Sequence, residues 1–176
     1  MPLASVTSFV AGLLDGMTWP AGMQALTSPP PPLVSTVIPT SPTVSAGPAA
    51  YVWFGRVRES RANAEYSAGT IPRGYGTKTQ NHGILIYVVW TGGSPSDPNA
   101  AILFPGMVDA IMANLRTTSL PSSGVPVTDP WTGAVTNVVD IGEVQSVDTY
   151  LRELEPMQLQ RLDALIEAQV VEVMTA

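Results

Sequence analysis

Residues 80–92 read QNHGILIYVVWTG, and the fold turns on how this stretch is read. Ile84 to Trp90 is an unbroken run of seven apolar residues, rich in β-branched and aromatic side chains. Seven residues fall far short of a bilayer span. Apolar side chains at consecutive rather than alternate positions mark a strand at the centre of a sheet. The foot of the run carries His82, the one histidine of the chain. The same stretch therefore poses the chemical question: His82 is either a catalytic or metal-binding group presented by a core strand, or the polar end of that strand.

Working outward, Tyr51 to Arg58 (YVWFGRVR) is a second strand candidate, with Gly55 placed for a bulge. Between the two strands, residues 60–81 contain Gly69, Pro72, Gly74 and Gly76 and predict a long polar loop. A loop of that length is usually functional, or disordered until bound. Downstream, SPSDPN (94–99) is a helix start, with Asp97 as cap and Pro98 in the first turn. Phe104, Val108, Ile111, Met112 and Leu115 then recur at helical spacing, and Pro105-Gly106 predicts a kink or a short turn before a helix over about 105–117. TDPWTG (128–133) is turn chemistry, with Gly133 able to take positive φ. Strand-like sequence follows from Ala134 to Leu151, broken at Gly142. In residues 162–174 the apolar spacing suits a strand or a helix; a final strand after a turn at Pro156 is preferred.

Upstream, Leu3 to Leu14 has helical spacing, with Ser5 or Thr7 near its start and Gly16 near its stop. Nine of the 17 prolines precede residue 50, four of them in Pro29–Pro32. Such a segment cannot form a regular helix and should run extended, with a short edge strand at Leu33–Ile38. An extended arm lying over its own or a neighbour's surface fits better than a PxxP ligand, because flanking basic residues are missing. The chain thus divides into an N-terminal helix and turn (1–26), a Pro-rich connector or arm (27–48) and a core domain (49–176) with its basic loop at 60–81. The expected class is α+β, an antiparallel or mixed sheet with helices packed on one face.

Composition narrows the function. At 45% hydrophobic residues, 176 residues can bury a proper core. The absence of cysteine excludes a disulfide framework, a thiolate zinc site and a cysteine nucleophile, and fits a reducing cytoplasm. The N-terminus makes a poor signal peptide, so a soluble protein is expected. The charge is segregated. Residues 1–55 carry only Asp15; residues 56–78 hold Arg56, Arg58, Arg61, Arg73 and Lys78 against Glu59 and Glu65; residues 79–176 hold eleven acids against Arg116, Arg152 and Arg161. That division suits surfaces with different partners, and equally ordinary solvated faces.

Catalytic readings fare poorly. One histidine would have to serve any triad, no serine sits in a G-x-S-x-G elbow, and GYG at 74–76 lacks the lysine and helix of a phosphate loop. Alternation sends Asp140 and Glu143 to opposite faces, which spoils a metal cage with Asp148. Glu153 and Glu155 form a glycosidase-like pair only inside a cleft, and a solvated face is the simpler reading. No catalytic residue, cofactor or metal is expected. His82 is then asked only for a hydrogen bond at a strand entrance, and its replacement by Asn or Gln is expected to leave assembly nearly intact. Arg56, Arg58, Arg61, Arg73 and Lys78, with Tyr66 and Tyr75 interleaved, remain as contact residues, facing either a neighbouring subunit or DNA. A pI near 4.5 argues against a dedicated nucleic-acid binder.

The order PAAYVWFGRVRESRA, long loop, QNHGILIYVVWTG, helix ending AIMANLRTT, DPWTGAVTNVVDIGEVQS and closing LIEAQVVEVM resembles the tail terminator proteins of long-tailed bacteriophages. The likeness covers residues 48–176 and is one of element order and turn placement. It implies a structural virion protein of the neck: a six-fold homo-oligomeric ring that ends the tail tube and joins it to the head-closure or connector protein. DNA would pass through its lumen in transient, non-specific contact, with no membrane involved and assembly in the host cytoplasm. The Pro-rich arm departs from the pattern and suits an embrace of a neighbour. Head-closure and other connector proteins share this size and style. A surface-binding, adhesin-like module with the arm as stalk, or a small carboxylate-based hydrolase, are the readings from other classes.

Overall fold

A computed structural model of the chain describes residues 3–19, 33–35, 47–61, 77–91, 98–130, 132–154 and 159–175. The apolar run lies in the middle of a sheet, as its consecutive apolar residues require. In chain order the elements are α1 (Leu3–Asp15), β1 (Leu33–Ser35), β2 (Gly47–Arg61), β3 (Thr77–Thr91), α2 (Pro98–Thr117), β4 (Val125–Thr128), β5 (Val135–Leu154) and β6 (Leu159–Thr175). They build one six-stranded sheet in the order β1-β2-β3-β6-β5-β4. All neighbours are antiparallel except β1, which adds to β2 in parallel. The fold is α+β.

Cross-strand rows define the two faces. Ala50, Val88 and Ala164 form one row, and Val52, Ile86 and Ile166 the next; all six are fully buried. Helix α1 covers them with Val6, Val10 and Leu14, and α2 with Phe104, Met107, Val108, Ile111 and Leu115, in one continuous cluster that also takes in Trp19. The opposite face carries Tyr51, Tyr87 and Leu165 in one row and Trp53, Leu85 and Glu167 in another. These are half-buried, except for Trp53, which is exposed. The consecutive apolar residues of β3 therefore serve a closed face and a partly open one.

Bulges bend the outer strands. Register shifts between Phe54 and Arg56 on β2, at the predicted Gly55, and at three places on β5 between Val138 and Ser146. A single extra residue reverses which side chains face the core. Before the bulge, even-numbered Ala50 and Val52 face the helices; after it Val57 pairs with buried His82, so Arg56 and Arg58 turn to the open face. Were Gly55 to take a regular place in the ladder opposite Gly83, the two arginines would point into the helix layer.

Several expectations need correction. The predicted loop over 60–81 is shorter at both ends, because β2 continues to Arg61 and β3 begins at Thr77, with Arg61 opposite Lys78. Polar side chains there alternate across an antiparallel ladder, which composition alone does not reveal; residues 62–76 lie outside the described residues. Helix α2 begins at Pro98 and runs through Pro105, not from 105 onward. Pro105 removes one helical hydrogen bond, but it sits on the exposed side while the apolar stripe holds the helix down on the sheet. Ser5 and Thr7 lie inside α1, and Thr7 donates from Oγ1 to the Ala4 carbonyl at 3.0 Å. Of the arm's expected edge strand at 33–38, Leu33–Ser35 is strand, and residues 36–38 lie outside the described residues. The sequence reading missed β4, a four-residue edge strand containing Pro126. Gly142 does not end β5, which passes it through bulges.

The remaining elements follow the sequence closely. Gly133 has φ +69, and in the same turn Asp129 accepts from the Thr132 amide through Oδ1 at 3.3 Å. Residues 162–174 are strand, the last leg of the β5–β6 hairpin; Pro156 lies outside the described residues. Since Ile111 is fully buried between α2 and the sheet, Ile111→Ala should cost about 2–5 kcal/mol by urea denaturation. A change below about 0.5 kcal/mol would mean that α2 does not seal this face.

Candidate functional site

His82 stands on the helix-covered face, not at a solvent entrance. The unbroken pairing of β3 with β6 sets Gln80 opposite Glu172 and His82 opposite Val170. His82 Nε2 donates to Glu172 Oε2 at 2.7 Å, and both side chains are fully buried. Thr136 of β5 donates its hydroxyl to the other oxygen of the same carboxylate. Gln80, also buried, donates from Nε2 to Glu59 at 3.2 Å. His82 Nδ1 has no hydrogen-bond partner among the described residues. A base or nucleophile must reach a substrate, and neither His82 nor Glu172 is accessible. The trio ties three strands together at one end of the core. The sequence reading of His82 as scaffold fits this geometry, but the demand on it is larger than one hydrogen bond at a strand entrance. Among the described residues no three His, Asp or Glu side chains cluster so as to hold a metal ion.

The basic residues sit on the other face. Arg56 lies across the neighbouring strand at Gly83 and reaches Glu167 on β6, Nη2 to Oε1 at 3.2 Å. Gly83 makes this path possible: a Cβ there would come within 2.9 Å of Arg56 Cγ. Arg58, two residues on, is exposed on the same face. Arg56, Arg58, Asn81, Gly83 and Gln169 line an open groove of about 120 Å³, room for one carboxylate or phosphate group. On the same strand the rings of Trp53 and Phe54 stack with centroids 5.1 Å apart, and both are exposed. Of the other candidates, Lys78 is half-buried near the start of β3, Arg61 is placed by its backbone opposite Lys78, and Arg73 lies outside the described residues. The structure thus brings Arg56 and Arg58 together. It adds Asn81, Gly83, Gln169 and Glu167, which only the cross-strand register identifies.

No family model matches the chain, and no curated protein matches it. Among solved structures, a chain described as "Virion of native gene transfer agent (GTA) particle" is similar, with 15% identity over 97% of this chain and 97% of that one and a TM-score of 0.42.

The buried trio yields a direct test. His82→Leu strands the Glu172 carboxylate in the core beside Thr136, and should cost about 3–5 kcal/mol in urea denaturation. Changing His82 and Glu172 to Leu together removes the stranded charge and should recover much of that loss. A single variant as stable as wild type would show that the pair is not a structural tie.

Proposed function

We propose that this chain is a structural virion protein of the phage neck. In this reading six copies form a ring that terminates the tail tube, docks the head-closure or connector protein and lets DNA pass through its lumen. The observation that carries it is the order of elements over residues 48–176, which resembles tail terminator proteins. The geometry is compatible with that use. One face of the sheet is sealed by α1 and α2, while the other presents Arg56, Arg58 and the exposed Trp53 to whatever lies alongside. Exposed arginine and aromatic side chains together are the composition of an interface centre.

The charge division supports a head-to-tail arrangement. The basic segment of 56–78 and the acidic region of 79–176 belong to one chain, and a closed heterologous ring brings such zones together between copies. Contacts of this kind steer and register subunits. The nearly uncharged N-terminal region would add apolar burial against a neighbour, the tube or the closure protein.

The test is location together with stoichiometry. Native mass spectrometry of the full chain should show a closed oligomer, six copies in the expected case. In particles carrying an epitope-tagged copy, gold-labelled antibody should mark the head–tail junction. Label spread along the tube or over the capsid, or missing from purified particles, would overturn the neck assignment.

A further inference from the structure

Arg58, Asn81, Val171 and Asp140 are cross-strand partners in one row that runs β2-β3-β6-β5. The row lies on the face away from the helices, and its two end residues, Arg58 and Asp140, are exposed. Three strand spacings, about 14 Å, separate the two ends, so the charges do not meet within one chain. Among the described residues neither makes an ion pair. At this level the short edge strands are absent: β1 pairs only with Ala49–Tyr51 and β4 only with Val135–Thr136, Asn137 and Val138. Within the described sheet β2 and β5 are therefore outermost here, and they run antiparallel to each other. At this level the open face carries an arginine at its β2 side and an aspartate at its β5 side.

We propose that the groove of Arg56 and Arg58 receives the Asp140 carboxylate of a second copy. This deepens the ring reading and rests on it. A contact that sets the β5 side of one copy against the β2 side of the next joins the opposite ends of the row, and repeats head to tail. Arg58 supplies the planar fork that grips a carboxylate, and the Asn81 amide can add a donor. Arg56 already holds Glu167 across Gly83, which fixes its guanidinium along one wall. The occupant is a single carboxylate, not a polyanion, because a nucleic-acid strand laid on this face would run from the arginines onto Glu167 and Asp140.

Charge reversal tests the pairing. Sedimentation velocity of the full chain at low and high salt would compare wild type, Arg58→Asp, Asp140→Arg and the two changes combined, with circular dichroism confirming that each variant folds. Each single reversal should weaken self-association about tenfold or more, and the combined variant should regain most of it. Wild-type association should also fall as salt rises. A wild-type chain that stays monomeric overturns the ring reading and this inference with it. A wild-type oligomer indifferent to both single variants overturns this inference alone. Single-variant losses that the combined variant fails to rescue overturn Asp140 as the occupant. A parallel titration with a fluorescent DNA duplex closes the remaining route: DNA binding abolished by Arg58→Asp, with self-association unchanged, would assign the groove to phosphate and overturn the proposal.

Discussion

The pairing of β3 with β6 is the constraint on which the rest of the molecule depends. Fifteen consecutive partners, from Thr77 with Thr175 to Thr91 with Arg161, are joined without a register shift. In an antiparallel ladder a slip of one residue moves every side chain to the other face. The unbroken register therefore fixes two unlike surfaces at once. On one, Ile84, Ile86, Val88, Ala164, Ile166 and Ala168 form a floor for the helices. On the other, Gly83 stands beside Gln169 and Leu85 beside Glu167, which lays out the bed where Arg56 rests.

The outer strands depart from this regularity, and their departures shape the presented surface. The bulge at Gly55 lets β2 be apolar toward the helices before it and still send Arg56 and Arg58 outward after it. The bulges of β5 do the same around Asp140, which is exposed between Val138 and Ile141, both buried under the helices. Burying an unpaired guanidinium or carboxylate in the helix layer would cost several kcal/mol. One inserted residue on β2 and three on β5 avoid that cost.

The buried His82–Glu172–Thr136 trio shows a different solution to the same problem. It lies on the helix side, where charge is least tolerated, and every member comes from a different strand. Its internal hydrogen bonds offset desolvation, and a displaced register would leave the carboxylate without partners. The trio thus penalises misalignment of β3, β5 and β6.

Much of the architecture was legible in the sequence because it rests on local periodicity. The seven-residue run of β3, the apolar stripe of α2, Gly55 as bulge and Gly133 as turn were each legible, since each depends on near neighbours in the chain. Strand ends were less legible: residues 77–81 and 60–61 read as loop, because polar strands carry no apolar signal. The short edge strand β4 was missed for a different reason, since four residues with a proline are too few to show a period. The site divides likewise. Five basic residues stood out as a cluster in sequence, yet only the fold could show that Arg56 spends itself on Glu167, 111 positions away, and that Gly83 lies beneath it. His82 could be read as scaffold, but its partner Glu172 is 90 positions away in the chain. The sequence by itself determined which segments are apolar, bent or charged, because those properties reside in neighbouring residues. The tertiary structure alone decided which charges meet, because meeting depends on strand order and register, and these are set by long-range burial.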